Sequence, residues 1–284
     1  MERDLFDADH LAFRDSVRRF IERHVEKDYE RWEQEGLVDR TLWTLAGESG
    51  FLGMAVPAEY GGGDVADFRY NAVLVESFAE INALSLSSGF GLHNDVVAPY
   101  LIELATDEQK KRWLPGFCSG ELVTAIAMTE PGAGSDLKGV RTNARKEGSS
   151  YVLNGAKTFI TNGIHSDLVI VVAKTDPDAG SKGMSLLVVE RGMDGFERGR
   201  KLAKVGMHAQ DTAELTFTDV RVPEENVLGE PGKAFSYLMH NLPQERISIA
   251  VVAAAAARAS LGWTVQYCHD RKAFGQSIGS FQNS

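Results

Sequence analysis

From Phe13 onward the apolar residues Val17, Phe20, Ile21 and Val25 return every three or four positions among Arg, Glu and Lys. That spacing lays one apolar stripe along a helix. The same period runs through residues 41–49, 71–83 and 95–105, and Thr106-Asp-Glu-Gln109 reads as a capping box opening a further helix that Pro115 ends. Up to about residue 120 the chain is predicted to be nearly all helix. The period then shortens. Residues 122–128, 140–146, 151–153, 168–174, 184–190 and 213–217 are short runs rich in Val, Ile, Leu and Thr. Turn sequences such as Glu147-Gly-Ser-Ser150 and Asp176-Pro-Asp-Ala-Gly180 separate them, which predicts an antiparallel β domain. After Pro223 and the Gly229 to Gly232 turn the helical period returns from Phe235 to about His269, with Pro243 expected to kink or break it. The expected domains are therefore 1–120 (helical), 121–232 (β) and 233–284 (the start of a second helical domain). This α, β, α order is an α+β fold and argues against a doubly wound sheet of alternating βαβ units.

Composition narrows the function. With 284 residues, 43% hydrophobic and 25% charged, the chain is long and apolar enough for one to three cored domains, which excludes disordered and fibrous classes. Thirty basic against 40 acidic residues give a net charge of -10, so no sequence-wide cationic surface exists for nucleic acid or anionic lipid. Cys118 and Cys268 form neither a disulfide framework nor a C-x-x-C pair, as expected of a chain in a reducing compartment. The seven histidines lack zinc spacing, and no metal is indicated. Residues 1–6 are charged and unlike a signal or transit peptide. The most apolar stretch, residues 249–257, is cut by Arg258 and is expected to be a buried helix of a soluble protein, with no membrane span. Gly89-Phe-Gly91 fails the dinucleotide fingerprint, and neither a phosphate loop nor a G-x-S-x-G elbow is present.

Four segments carry candidate chemistry. Ala127-Met-Thr-Glu-Pro-Gly-Ala-Gly-Ser-Asp136 is a Gly-rich turn leaving the first predicted strand. Gly132 and Gly134 would let backbone N–H groups approach an anion such as diphosphate, with Thr129 and Ser135 adding hydroxyls. An ordinary surface turn has the same composition, and only context separates the two. In Asn154-Gly-Ala-Lys-Thr-Phe-Ile-Thr-Asn-Gly163 a period of two puts Phe159 and Thr161 on one face, although a strand with Phe in the core reads the same way. Arg271-Lys-Ala-Phe-Gly275, with Phe281-Gln282 beyond it, follows the last helix, where the helix dipole alone favours an Arg. Glu245 and Arg246 follow Pro243-Gln244 and precede the mainly apolar residues 247–252. A carboxylate in that setting would be partly buried and a stronger base than a solvated one.

Taken in order, these segments resemble the acyl-CoA dehydrogenase family of flavoproteins. Residues 127–136 match the family's most specific motif without a gap, and Lys157-Thr-Phe-Ile-Thr-Asn162, Gln210-Asp-Thr-Ala-Glu214, Pro223-Glu-Glu-Asn-Val-Leu-Gly229 and Arg271 to Gly275 follow at the expected positions. The resemblance implies a helical, β, helical architecture with FAD between the β domain and the C-terminal helices. It places Ile126, Ala127, Met128, Thr129, Gly134 and Ser135 along the isoalloxazine and diphosphate, and Phe159, Ile160 and Thr161 beside flavin N5. Arg271 and Gln282 would reach the FAD of a neighbouring subunit, implying a homotetramer built as a dimer of dimers.

For the acyl-CoA substrate the resemblance implies contacts from Ser135, Ser181, Lys182 and Ser236, and from Pro243, Gln244 and Arg246 around the base. Leu242-Pro-Gln-Glu-Arg246 is similar to the long-chain and isovaleryl form, in which the catalytic glutamate sits on a helix just before an Arg, and this assigns Glu245. The implied reaction is α,β-dehydrogenation of a medium-to-long-chain acyl-CoA in fatty acid β-oxidation, with electrons passed to an electron-transfer flavoprotein. An acyl-CoA or nitroalkane oxidase, a short- or branched-chain dehydrogenase, or a silent homologue stand as alternatives on the same scaffold. The family continues beyond the position of Ser284 with the rest of its C-terminal bundle, so this chain is expected to be truncated. A bacterial cytoplasm is the expected compartment, or the mitochondrial matrix for a processed eukaryotic chain.

Overall fold

The computed structural model describes residues 4–282, so the first three residues of the charged N-terminal stretch, and Ser284, lie outside it. Helix α1 (Ala8–His24) starts at Asp7, whose carboxylate accepts the N–H groups of Asp9 and His10, and it buries Val17, Phe20 and Ile21 as their spacing requires. Helices α2 (Glu26–Glu35), α3 (Thr41–Glu48), α4 (Arg69–Glu80) and α5 (Leu84–Gly91) follow. The segment expected as one helix over 95–105 is instead a π-helical turn, Leu92–Val97, running into α6 (Ala98–Leu104).

The capping box of α7 (Asp107–Ser119) is present as expected: Thr106 Oγ1 accepts from Gln109 N at 3.2 Å, and Gln109 Oε1 accepts from Thr106 N at 2.9 Å. Pro115 does not end this helix. It lacks one N–H, but Leu114, Phe117 and Cys118 are buried around it, and their burial outweighs the single lost bond. The helix stops at Gly120, in the left-handed region at φ 77, where a Cβ would run into the Trp43 carbonyl.

One sheet contains β1 (Thr124–Ala127), β2 (Asn143–Glu147), β3 (Ser150–Thr161), β4 (Leu168–Lys174), β5 (Met184–Glu190), β6 (Phe196–Lys201), β7 (Thr212–Pro223) and β8 (Val227–Leu228). Its order is β6-β7-β3-β2-β4-β5-β8, with β1 also on β4. Most pairings are antiparallel, but β1 and β2 each run parallel to β4, which corrects the expectation of a purely antiparallel domain. Their registers explain it. Thr124 to Ala127 face Leu168 to Val171, and Asn143 faces Lys174, so β1 and β2 lie end to end along one edge of β4. Residues 128–142, which hold the Gly-rich motif, are thus an excursion from a single strand line that resumes in its original direction.

Strand β3 joins two segments read separately in the sequence, with register shifts at Leu153/Gly155 and Lys157/Ile160. The second shift is a bulge that breaks the alternation: Lys157 and Thr158 are both buried, and Phe159 takes φ 59 and turns outward, 67% exposed. The alternative reading of Phe159 as a core residue is thereby overturned. Apolar cores fill the N-terminal helices, the space between α6, α7 and one sheet face, and the opposite sheet face.

Helix α8 (Ala234–Asp270) is continuous for 37 residues, roughly 55 Å. It passes through Pro243 without a break, because proline removes only its own N–H and the turn is held to the rest of the molecule by neighbouring side chains. Ala234, Leu238, Asn241, Ser248 and Ala255 are its buried residues. The expectation that residues 249–257 are buried is corrected: an 18-residue window of α8, with mean hydropathy 1.4, is only 11% buried. By length and composition alone α8 could cross a membrane, contrary to the sequence reading, while its inner face is committed to packing on α4 and α5. A short hairpin, β9 (Lys272–Ala273) and β10 (Gln276–Ser277), follows.

Candidate active site

Where α5, the π-helical turn, the end of β1, the bulged end of β3 and the first half of α8 converge, they enclose a cleft of about 470 Å³. Its walls are mainly apolar: Leu92 and Val96 from the π-helical turn, Ile126 and Met128 around the end of β1, Met207, and Ile249 and Val252 from α8. Six polar side chains interrupt them, Ser87 and Ser88 of α5 among them. Thr161, Gln210, Ser248 and Glu245 all line the cleft, and Gln210 Nε2 donates to Thr161 Oγ1 at 3.2 Å. The assigned base and three of the expected flavin-side positions, Ile126, Met128 and Thr161, therefore share one cavity.

Glu245 is half-buried and accepts a hydrogen bond from Tyr100 Oη at 2.9 Å. Burial raises the Glu245 pKa above the ordinary carboxylate value, and the Tyr100 hydrogen bond and the Arg246 charge offset only part of that rise. Such a group can accept a proton from a weak carbon acid once water is excluded.

Asp95 fixes the turn that carries Glu245. This residue of the π-helical turn accepts from Ser248 Oγ (2.5 Å) and Asn71 Nδ2 (2.5 Å), and its backbone carbonyl accepts from Gln244 Nε2 (2.9 Å). The residues before and three after Glu245 are thereby tied to α4 and the turn. Gln244, expected to contact substrate, spends its amide on this anchor, while Pro243 and Arg246 are exposed.

Burial pushes the Asp95 pKa up to about 6, against the hydrogen bonds from Ser248 and Asn71. The folded value lies above the unfolded one, so the carboxyl's contribution to stability is fully present below about pH 4 and is lost as pH rises through about 6. Asp95→Asn, which cannot ionise, is expected to gain up to about 3 kcal/mol on the wild type between about pH 4 and about pH 7. Urea unfolding at the two pH values measures this, and a difference that stays flat contradicts a buried ionising Asp95.

The Gly-rich excursion is held from beneath and open above. Glu130 and Ala133 exchange two backbone hydrogen bonds across its tight turn, and Thr158 N donates to Thr129 O at 3.0 Å. The buried Lys157 ammonium donates to Glu130 Oε1 (2.9 Å) and Met128 O (3.0 Å), while Glu130 also accepts from the N–H groups of Arg141 (2.7 Å) and Thr142 (2.9 Å). Burial raises the Glu130 pKa, but the bonds from Thr142, Arg141 and Lys157 outweigh it and hold the carboxyl below its usual value. The cost falls on the ammonium, which burial lowers to about 8. On the outer side, Gly132, Gly134 and Ser135 are exposed, and a Cβ on either glycine would meet nothing within 4 Å.

The other expected residues divide into four groups. Ala127 and Ile160 bury their side chains in the sheet core, so only their backbone can meet a ligand. Ser236, exposed in the first turns of α8, lies nine residues before Glu245, roughly 13 Å along the axis. Ser181 and Lys182 sit on the 3₁₀ segment Pro177–Gly183, which packs against α8. Arg271 caps the far end of α8 and is exposed, as is Gln282, and neither lines this chain's own cleft. The sequence reading missed Tyr100, Asp95, Asn71 and Ser248. The one available signal was an Asp within the apolar run of residues 90–101.

Family models for the N-terminal, middle and C-terminal domains of acyl-CoA dehydrogenases match residues 7–121, 125–220 and 232–284. The mitochondrial long-chain specific acyl-CoA dehydrogenase of Sus scrofa is 49% identical over 99% of this chain, which spans 65% of that protein's length. A solved acyl-CoA dehydrogenase from Geobacillus kaustophilus is 50% identical with a TM-score of 0.95, covering 99% of this chain and 74% of that one. An acyl-CoA dehydrogenase from Bacillus anthracis, solved in complex with FAD, is 33% identical with a TM-score of 0.90, covering 99% of this chain and 48% of that one.

Proposed function

The chain belongs to the acyl-CoA dehydrogenase family, and on that premise we propose that it carries out FAD-dependent α,β-dehydrogenation of a medium-to-long-chain acyl-CoA to the trans-2-enoyl-CoA. An electron-transfer flavoprotein takes the electrons, and a dimer of dimers is the working unit. The observation that carries the reading is the Glu245 carboxylate, backed by Tyr100 and lining an apolar cleft whose other wall includes Ile126, Met128 and Thr161.

The residues present fit FAD. The open glycine backbone at 132 and 134 leaves room for a diphosphate, Thr129 and Ser135 offer hydroxyls, and the outward Phe159 ring gives a flat group an apolar face. Its positive φ costs about 1–3 kcal/mol, a strain that the paired strand on both sides of the bulge sustains. When bound, FAD accepts the hydride leaving the β carbon.

The chain's own residues do the rest. Ser135, Ser181, Lys182 and Ser236 bind the CoA portion along the first turns of α8, and the apolar walls take the acyl chain and expel water. With water gone, Glu245 removes the α proton from the side away from the flavin, its basicity already raised by burial. Arg271 and Gln282, remote from this cleft, serve the neighbouring subunit.

Anaerobic mixing of the FAD-loaded protein with palmitoyl-CoA tests the function. The flavin's visible absorbance is expected to bleach and to return slowly in air. No bleaching with any acyl-CoA, or rapid peroxide release on admitting air, overturns the dehydrogenase reading.

A further inference from the structure

The Glu245 carboxylate is gripped from behind. Tyr100, on α6, is fully buried in the core between α6, α7 and the sheet, so its ring is fixed by packing and its O–H is aimed before any ligand arrives. Its bond to Glu245 Oε1 is the one side-chain hydrogen bond that Glu245 makes among the described residues. The other ionisable groups nearby hold different partners or face elsewhere. Arg246, next on α8, is exposed, Asp95 on the π-helical turn is taken up by Ser248 and Asn71, and Glu103 on α6 pairs with His240 of α8 at 3.7 Å.

We propose that Tyr100 is a positioning residue for the base: its phenol pins one carboxylate oxygen of Glu245 to the wall of α6, leaves the other oxygen facing the cleft, and favours the ionised carboxylate over the acid. The chemistry follows from the donor. A carboxylate accepts an O–H far better than a carboxylic acid does, so the bond stabilises the form that can take a proton. Burial and the Glu245 charge push the Tyr100 pKa up, so the phenol remains a donor across the working range. Tyr100 thus opposes part of the rise that burial imposes on the Glu245 pKa. During the reaction the α proton passes to the free oxygen, Oε2.

The inference rests on Glu245 being the base, but the hydrogen bond can be tested without turnover. In protein labelled with ¹³C at the glutamate carboxyl, the Glu245 signal is identified by its loss in Glu245→Gln, and the choice of label keeps Asp95 out of the spectrum. Tyr100→Phe is expected to raise the Glu245 midpoint by about one pH unit. Fluorinated tyrosine at position 100, a stronger donor of nearly the same shape, is expected to lower it, and this keeps the test sound even if the Phe variant folds poorly. In the FAD-loaded enzyme the acid limb of the pH–kcat profile moves up with the midpoint in Tyr100→Phe, while KM changes little. A midpoint that stays in place or falls in Tyr100→Phe overturns the proposal. If Glu245→Gln instead keeps full turnover, the base assignment fails while the titration still reports on the Tyr100 bond.

Discussion

Glu245→Gln is expected to lower turnover of an acyl-CoA by about 10³-fold or more while leaving FAD retention and CoA binding near wild type. Gln matches Glu in size and can still accept the Tyr100 hydrogen bond, so the cleft keeps its walls and the α8 turn keeps its anchors at Gln244 and Ser248. What it loses is the lone pair that takes a proton. Steady-state kinetics with binding measured separately reads the two apart. A variant that binds normally and turns over normally removes Glu245 from the chemistry.

Lys157→Met is expected to destabilise the protein by about 3–5 kcal/mol and to weaken FAD retention. The ammonium is wholly buried and bridges the Glu130 carboxylate and the Met128 carbonyl, so its removal strands a buried carboxylate and frees the strand end that begins the Gly-rich excursion. Glu130 keeps the two backbone N–H groups of Arg141 and Thr142, which soften the loss without replacing the countercharge. The double variant Lys157→Met, Glu130→Gln is expected to recover part of the stability, because no uncompensated charge is left. Urea unfolding of the single and double variants gives the coupling. Additive losses would show that the two side chains act independently.

Local chemistry was legible in the sequence, and distant partners were not. The Thr106–Gln109 box could be read because both halves lie within one turn, and the α1 stripe because burial follows the helical period. Pro115 and Pro243 misled, since a proline costs one bond locally while the packing and anchors around it are set by the whole fold. The parallel pairing of β1 and β2 with β4 follows from the excursion over 128–142, whose return path no periodicity encodes. Of the site, Glu245, Ile126, Met128 and Thr161 were identified through the resemblance and meet in one cleft. Tyr100 and Asp95 stayed hidden because their partners, Glu245 and Ser248, lie 145 and 153 positions away. Phe159 could be read from the sequence either as core or as a ligand-facing ring, because a period of two does not foresee the bulge that turns it outward.

The central claim is that Glu245 meets the α carbon from the side opposite the flavin. A crystal structure of the protein with FAD and a non-oxidisable acyl-CoA analogue tests this most directly. The account predicts Oε2 of Glu245 over the α carbon, Oε1 still held by Tyr100, and the flavin ring on the far side beside Thr161. A different carboxylate over the α carbon, with Glu245 turned to solvent or lying on the flavin's side of the acyl chain, would contradict it.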